Sequence, residues 1–281
     1  MSRKRREDKP AKERVPFVAR PFAGLPGETD WVALREIVPA ATAPLRLRSS
    51  DVPVTLATVL PARWPGMVTG DGRRFLGLQV ASRSGDASRD LAHVLDQLLD
   101  ADPGSTVAPV GLPGPGPRLQ DLLDDAPLEV TLRQGFDYWV EGADDDTGDL
   151  AGAMERANAS VVPTAAVPGV TSAYWCRMKE RSHLRWVLPE DEDPLLDALA
   201  RLSVRGGLSL GESTRYVGSF RAHGLLVPVW DLPLATEADE LAAPAAAFRA
   251  RLDEALAESG PLPDEARRAR AGLLNRQLTL R

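Results

Sequence analysis

Apolar and polar positions alternate in short runs along this chain, and the clearest alternation lies between Ser172 and Leu202. Tyr174, Cys176 and Met178 fall on one face of a strand and Trp175 and Arg177 on the other. Lys179–Ser182 is a polar break of hairpin-loop length, and a second strand, HLRWVL, follows it. That break places Trp175 opposite Trp186 and Cys176 opposite Arg185; a loop of two or of four residues gives the same parity. A helix comes next. Asp193 is expected to cap it, Pro194 suits its first position, and Asp191 and Glu192 suit the positive end of its dipole. Leu195, Leu196, Leu199 and Leu202 form one apolar stripe at helical spacing.

Similar units are expected on either side. Glu28–Val38 reads as a helix with Trp31, Leu34 and Val38 on its inner face. Val54–Leu60 and Arg74–Ala81 read as strands around a loop at 63–72, and a helix capped at Ser84–Asp86 carries Leu91, Val94, Leu95 and Leu98 inward. A Gly/Pro-rich linker, GLPGPGP at 111–117, precedes a brief helix at Leu119–Leu123. Leu128–Leu132 and Phe136–Val140 suggest a second hairpin, followed by an acidic loop at Asp144–Asp146 and a helix over 148–157. A short strand is expected within Val161–Val167. The fourth unit pairs Arg215–Arg221 with Leu225–Trp230 around Ala222-His223-Gly224, before a helix from Pro244 to Glu258. Trp139, Trp186 and Trp230 each close a second strand in this reading, at spacings of 47 and 44 residues. True internal repetition and the chance likeness of short amphipathic units both account for that spacing. In either case the class is α+β, with mostly antiparallel sheets built from tandem β-hairpin-plus-helix units. The expected divisions are a disordered basic tail at 1–14, the first helix and first unit at 15–117, the remaining units at 118–260 packed with the first part, and an Arg-rich segment at 261–281.

Composition narrows the class. An apolar fraction of 43% over 281 residues supports a substantial core. No run of about 18 apolar residues occurs, so no membrane-spanning helix is expected; the basic start has no apolar h-region, so no secretory signal is expected, and a cytoplasmic location is the default. Net charge is −6, yet residues 1–14 carry seven Lys/Arg against three acids, leaving the remainder at −10. An acidic body argues against specific DNA binding.

Candidate chemistry is sparse. The single cysteine, Cys176, excludes an intrachain disulfide. Cys176 and His183 share a face and could be a thiolate with its base; the structural reading, a small buried side chain beside a strand-end histidine, is preferred. His223 before Gly224 is explained by the backbone of a tight turn. The acidic loops lack calcium-loop spacing, and GLPGPGP has no Lys-Ser/Thr after it, so no metal and no cofactor is expected. Arginines beside aromatic side chains can recognise anions or stacked bases, which singles out Tyr174, Arg185, Trp186, Arg221, His223 and Trp230 as a candidate binding face. The ordinary alternative is arginine covering an exposed strand edge. No catalytic residue stands out.

PFAGLPGETDWVALREIVPAATAPL (21–45), RLQDLLD (118–124), AYWCRMKERSHLRWVLP (173–189), VGSFRAHGLLVPVWDLP (217–233) and GLLNRQLTL (272–280) resemble an uncharacterised actinobacterial family, a domain of unknown function. The resemblance covers nearly the whole chain after residue 20. It implies no established activity. Longer members carry an N-terminal Cys-Pro-Cys-Gly-Ser-Gly zinc segment like that of the SecA translocase motor and are labelled SecA-like; topoisomerase labels also circulate. This chain lacks those cysteines and any Walker motif. The expectation is therefore a non-catalytic cytoplasmic interaction protein with a protein or ribosome partner, touching the ribosome or the export machinery through its basic tail. The alternative is a small-molecule-binding protein or enzyme that uses the Arg/aromatic face. Oligomeric state is not legible.

Overall fold

The computed structural model describes residues 17–81, 84–108, 112–140 and 149–275. The expectations for the tail at 1–14, the acidic loop at 144–146 and the last residues of the C-terminal segment lie outside them. The elements run in the order α1 (Glu28–Glu36), β1 (Ala41–Leu45), β2 (Val54–Ala57), β3 (Gly66–Val68), β4 (Arg74–Gly77), α2 (Ala87–Leu99), β5 (Thr106–Val107), α3 (Leu119–Leu122) and β6 (Thr131–Leu132). Then come α4 (Asp149–Asn158), β7 (Thr164–Ala166), β8 (Ala173–Arg177), β9 (Ser182–Trp186), α5 (Glu192–Val204), β10 (Arg215–Ala222), β11 (Leu225–Leu232), α6 (Ala242–Ala257) and α7 (Asp264–Asn275).

The strands form two sheets, in the orders β5-β3-β4-β2-β1-β6 and β10-β11-β9-β8-β7. Every pairing is antiparallel except β2 with β4. The class is thus α+β, and β3–β4 with α2, β8–β9 with α5, and β10–β11 with α6 are hairpins followed by helices. Two expectations change in the first sheet. β2 and β4 do not form a hairpin; β3, expected as loop, pairs with β4 and lets β4 return parallel to β2. The expected second hairpin is absent. β6 pairs with β1, and Asp137–Trp139 is a turn of 3-10 helix. Phe136 stacks on Trp139 with ring centroids 4.4 Å apart, and the Tyr138 hydroxyl and Trp139 indole each donate to the Val59 carbonyl at 2.8 Å. Trp139 therefore ends no strand, and its spacing from Trp186 has no structural counterpart.

Layers follow from which faces are apolar. One face of the first sheet and α2 enclose α1, whose other side meets the second sheet through Tyr174, Phe220, Val227 and Val229 in one continuous core. The far face of the first sheet packs on Phe136, Tyr138 and Met154. The far face of the second sheet, with Trp175, Leu184, Trp186 and Trp230, packs on the leucine stripe of α5 and on Ala245, Phe248 and Leu252 of α6. Polar ties hold α1 in place. Arg35 is buried and donates to the carbonyls of Leu78 and Val80. Arg20, just before α1, bridges Glu28 and Asp191.

The third hairpin has a register two residues away from the expected one. Trp186 faces Ala173, Arg185 faces Tyr174, Leu184 faces Trp175, and His183 faces Cys176. Ser182, expected in the loop, is fully buried in β9, so the turn lies earlier. Because a two-residue shift keeps the pleat parity, every side chain stays on its expected face. The cap of α5 also moves: Asp191 holds the cap position, without a side-chain bond to the helix, and Asp193 instead pairs with Arg270 of α7. No helix among the described residues is long and apolar enough to cross a membrane.

Candidate functional site

The six side chains singled out from the sequence do not form one face. Tyr174 is buried beneath α1, and burial, with the charge of Asp30 nearby, pushes its hydroxyl pKa up. Trp186 and Trp230 lie on the opposite side of the sheet, 3% and 0% exposed, with Trp230 donating to the Leu208 carbonyl at 2.7 Å. Arg221 is on that side too, held by both oxygens of Glu192, and each group shifts the other toward its charged form. His223 sits at the β10–β11 turn, edge-on to Phe22, with Nε2 2.8 Å from Glu36. Only Arg185 remains a candidate with chemistry to spare.

Arg185 projects from the middle of β9 on the same face as Tyr174 and Val229. It is half-buried, and among the described residues no carboxylate and no carbonyl receives its guanidinium. Two residues further along the same face, Thr164, Cys176, His183, Asp231 and Arg215 stand in one row across β7, β8, β9, β11 and β10. This row follows from strand pairing alone, since directly opposed residues hold Cβ atoms about 5 Å apart. Asp231 Oδ2 accepts from Arg181 at 2.6 Å and from Arg215 at 2.7 Å, while Oδ1 lies 3.1 Å from His183 Nδ1. Burial works against the Asp231 carboxylate, but the two arginines and the histidine outweigh it and hold its pKa below the usual range. The His183 pKa is lowered, first by burial and then by the charges of Arg185 and Arg181, with Asp231 opposing.

The order Cys176–His183–Asp231 is that of a thiol, its base and an orienting acid. The details argue against catalysis. Cys176 is 3% exposed, and burial raises its pKa despite the nearby Arg185 charge; such thiols are inert. The His183–Asp231 approach is poorly aligned, leaving Nδ1 without a well-directed hydrogen bond. Both Asp231 oxygens already face cationic or donor groups, so this carboxylate is not open to a metal, and no three His, Cys, Asp or Glu side chains among the described residues gather into a ligand set. What remains open is a basic surface: three arginines and one histidine around a single carboxylate. Arg181 and Arg215 are mostly exposed. Three cavities in the described part of the molecule are lined by other residues.

Sequence reasoning misses Arg181, Arg215 and Asp231. In the sequence Arg181 reads as part of a turn and Arg215 as the start of a strand. The available signal is Asp231 itself, the one charge in the strand LLVPVWDL, which needs a cationic partner at that depth.

No curated protein and no solved structure matches the chain. One family does, over residues 21–281, and the chain belongs to it: the family of unknown function DUF5926.

Proposed function

We propose that the protein is a non-catalytic interaction protein that takes an acidic segment of a protein partner on the basic face of its second sheet. The observation that carries this reading is Arg185, a half-buried guanidinium with no counter-ion among the described residues, beside Arg181 and Arg215, which share one carboxylate. Guanidinium forks suit carboxylates and phosphoryl groups, and a partly desolvated fork gains more from an incoming anion than one in open water. A long polyanion is a poorer fit. The body outside residues 1–14 carries −10, and that field opposes a nucleic-acid strand while a short acidic segment meets the basic face alone. Association with the ribosome or the export machinery, which the family resemblance implies, would on this reading run through an acidic stretch of a protein component.

The test is titration of the isotope-labelled protein with a hexaglutamate peptide and, separately, with polyuridylate. The peptide is expected to shift signals of β9–β11, to weaken with salt, and to lose affinity about tenfold on Arg185→Met. Equal binding by the Arg185→Met variant, or tighter binding of polyuridylate at another surface, would refute the proposal.

A further inference from the structure

His183 stands within the basic face, and its neighbours on the two flanking strands differ. Cys176 opposes it on β8 and Asp231 on β11. Burial pushes the Cys176 thiol pKa up, so that side brings no charge near neutral pH. The Asp231 carboxylate is divided between partners. Its Oδ2 accepts from both Arg181 and Arg215, at 2.6 and 2.7 Å. Its Oδ1 takes neither arginine and lies 3.1 Å from His183 Nδ1. Nδ1 is sealed from solvent and has no well-directed hydrogen bond. A neutral imidazole has one N–H, on either nitrogen, and a protonated one has both. Protonation of His183 therefore places a charged donor at Nδ1 whichever tautomer precedes it, facing a carboxylate oxygen that no arginine uses.

What opposes that proton is burial and positive charge. Burial weighs most, followed among the opposing charges by Arg185, two residues along β9, and then Arg181. An arginine cannot shed its charge to relieve the repulsion, whereas a histidine can. An acidic side chain brought to Arg185 changes the balance. Residues two apart on one face of a strand lie about 7 Å from each other, within the Debye length of about 8 Å at physiological salt. The incoming negative charge is thus felt at His183, where it offsets the arginines and favours the protonated ring.

We infer that the acidic segment binds the basic face together with one proton, taken up by His183, so that the partner is held more tightly in mildly acidic surroundings than at neutral pH. This coupling rests on the reading of the face as a site for an acidic segment and adds its regulation. Binding and protonation help each other by the same factor, because linkage between two equilibria is reciprocal. The tightening sets in as pH falls through the histidine pKa of the complex and levels off below that of the free protein.

The probe is a hexapeptide of cysteic acid, whose sulfonates stay ionised across the range. It is titrated into the labelled full-length protein at pH 7.5 and at pH 5.5, at one ionic strength, while the His183 ring signals are followed. Affinity is expected to be about threefold or more tighter at pH 5.5, and the His183 titration midpoint to lie higher with saturating peptide than without it. His183→Gln is expected to bring the ratio of the two affinities close to one, whatever its absolute affinity. The inference is overturned by equal affinities of the parent protein at the two pH values, by an unmoved His183 midpoint, or by parent-like tightening in His183→Gln. If His183→Gln does not fold, the ring midpoint in the parent protein decides alone. Binding that leaves the midpoint unmoved defeats the coupling and leaves the reading of the face intact; no binding at either pH defeats both.

Discussion

Cys176 and His183 stand directly opposite one another on β8 and β9, and Arg185, two residues along β9 from His183, adds its charge to both. Geometry alone would make this pair reactive, and burial prevents it. A thiol-specific disulfide reagent at pH 8 is therefore expected to label Cys176 only when the protein is denatured. Labelling of the native protein within seconds would show that the thiol is accessible and reopen the catalytic reading.

The lowered His183 pKa has a consequence for stability. Above its ordinary value, about 6.5, the histidine is neutral in both folded and unfolded chains and contributes no pH dependence. As pH falls below that value the unfolded chain takes up a proton that the folded protein refuses, so stability drops until the folded pKa is passed. His183→Gln is expected to flatten the part of the denaturation midpoint's decline that lies just below pH 6.5. An unchanged slope would mean that His183 takes up its proton equally well in the folded and unfolded chains.

Trp186 and Arg185 are adjacent and on opposite faces, so they separate core from surface. Trp186→Ala removes a ring 3% exposed and is expected to cost about 3–5 kcal/mol in chemical denaturation. Arg185→Met is expected to stay within about 0.5 kcal/mol of the parent. A stable Trp186→Ala variant would contradict the packing described for α6.

Arg35 is a structural arginine. Burial lowers its pKa, and its guanidinium serves the carbonyls of Leu78 and Val80 at the end of the first sheet. Arg35→Met keeps the bulk and leaves the Val80 carbonyl without its donor, while the Leu78 carbonyl keeps the Val80 N–H at 2.9 Å, so the cost is about 1–3 kcal/mol if the Val80 oxygen is sealed from water. A midpoint in urea equal to that of the parent would show that water reaches it.

At the β10–β11 turn His223 and Gly224 both have positive φ, 47° and 83°, the signature of a two-residue hairpin. A Cβ on Gly224 would lie 2.8 Å from the Arg20 Cβ and 2.9 Å from the Ala19 carbonyl. Gly224→Ala is expected to lower the thermal midpoint through both strain and this clash, whereas His223→Asn, with its tolerance of left-handed backbone, is expected to lose only the Phe22 and Glu36 contacts. Equal midpoints for Gly224→Ala and parent would require the chain before α1 to move away.

Much of the fold is legible in the sequence because its clearest elements carry local signals. Alternation and a positive-φ turn specify the fourth hairpin, and Asp86 caps α2 by accepting from Ser88 and Arg89, as its place before an apolar stripe implies. The first sheet is less legible. Parallel pairing of β2 with β4 depends on a third strand whose three residues, Gly66–Val68, carry almost no pattern. Phe136, Tyr138 and Trp139 look like a strand because they are aromatic and β-prone, yet their indole and phenol donors converge on one carbonyl, which needs a tight turn. The candidate site divides for a similar reason. Periodicity assigns a face within each strand, but which face of β9 shares a row with Asp231 depends on pairing between distant segments.

The placement of α1 between the sheets also bears on how the chain is made. The first sheet has all its strands once Leu132 is synthesised, but the side of α1 that meets the second sheet stays uncovered until β11 ends at Leu232, 100 residues later. At a synthesis rate of about 5–20 residues per second that interval is roughly 5–20 s. Through that window the half-built molecule leaves uncovered the apolar side of α1 that the second sheet later buries.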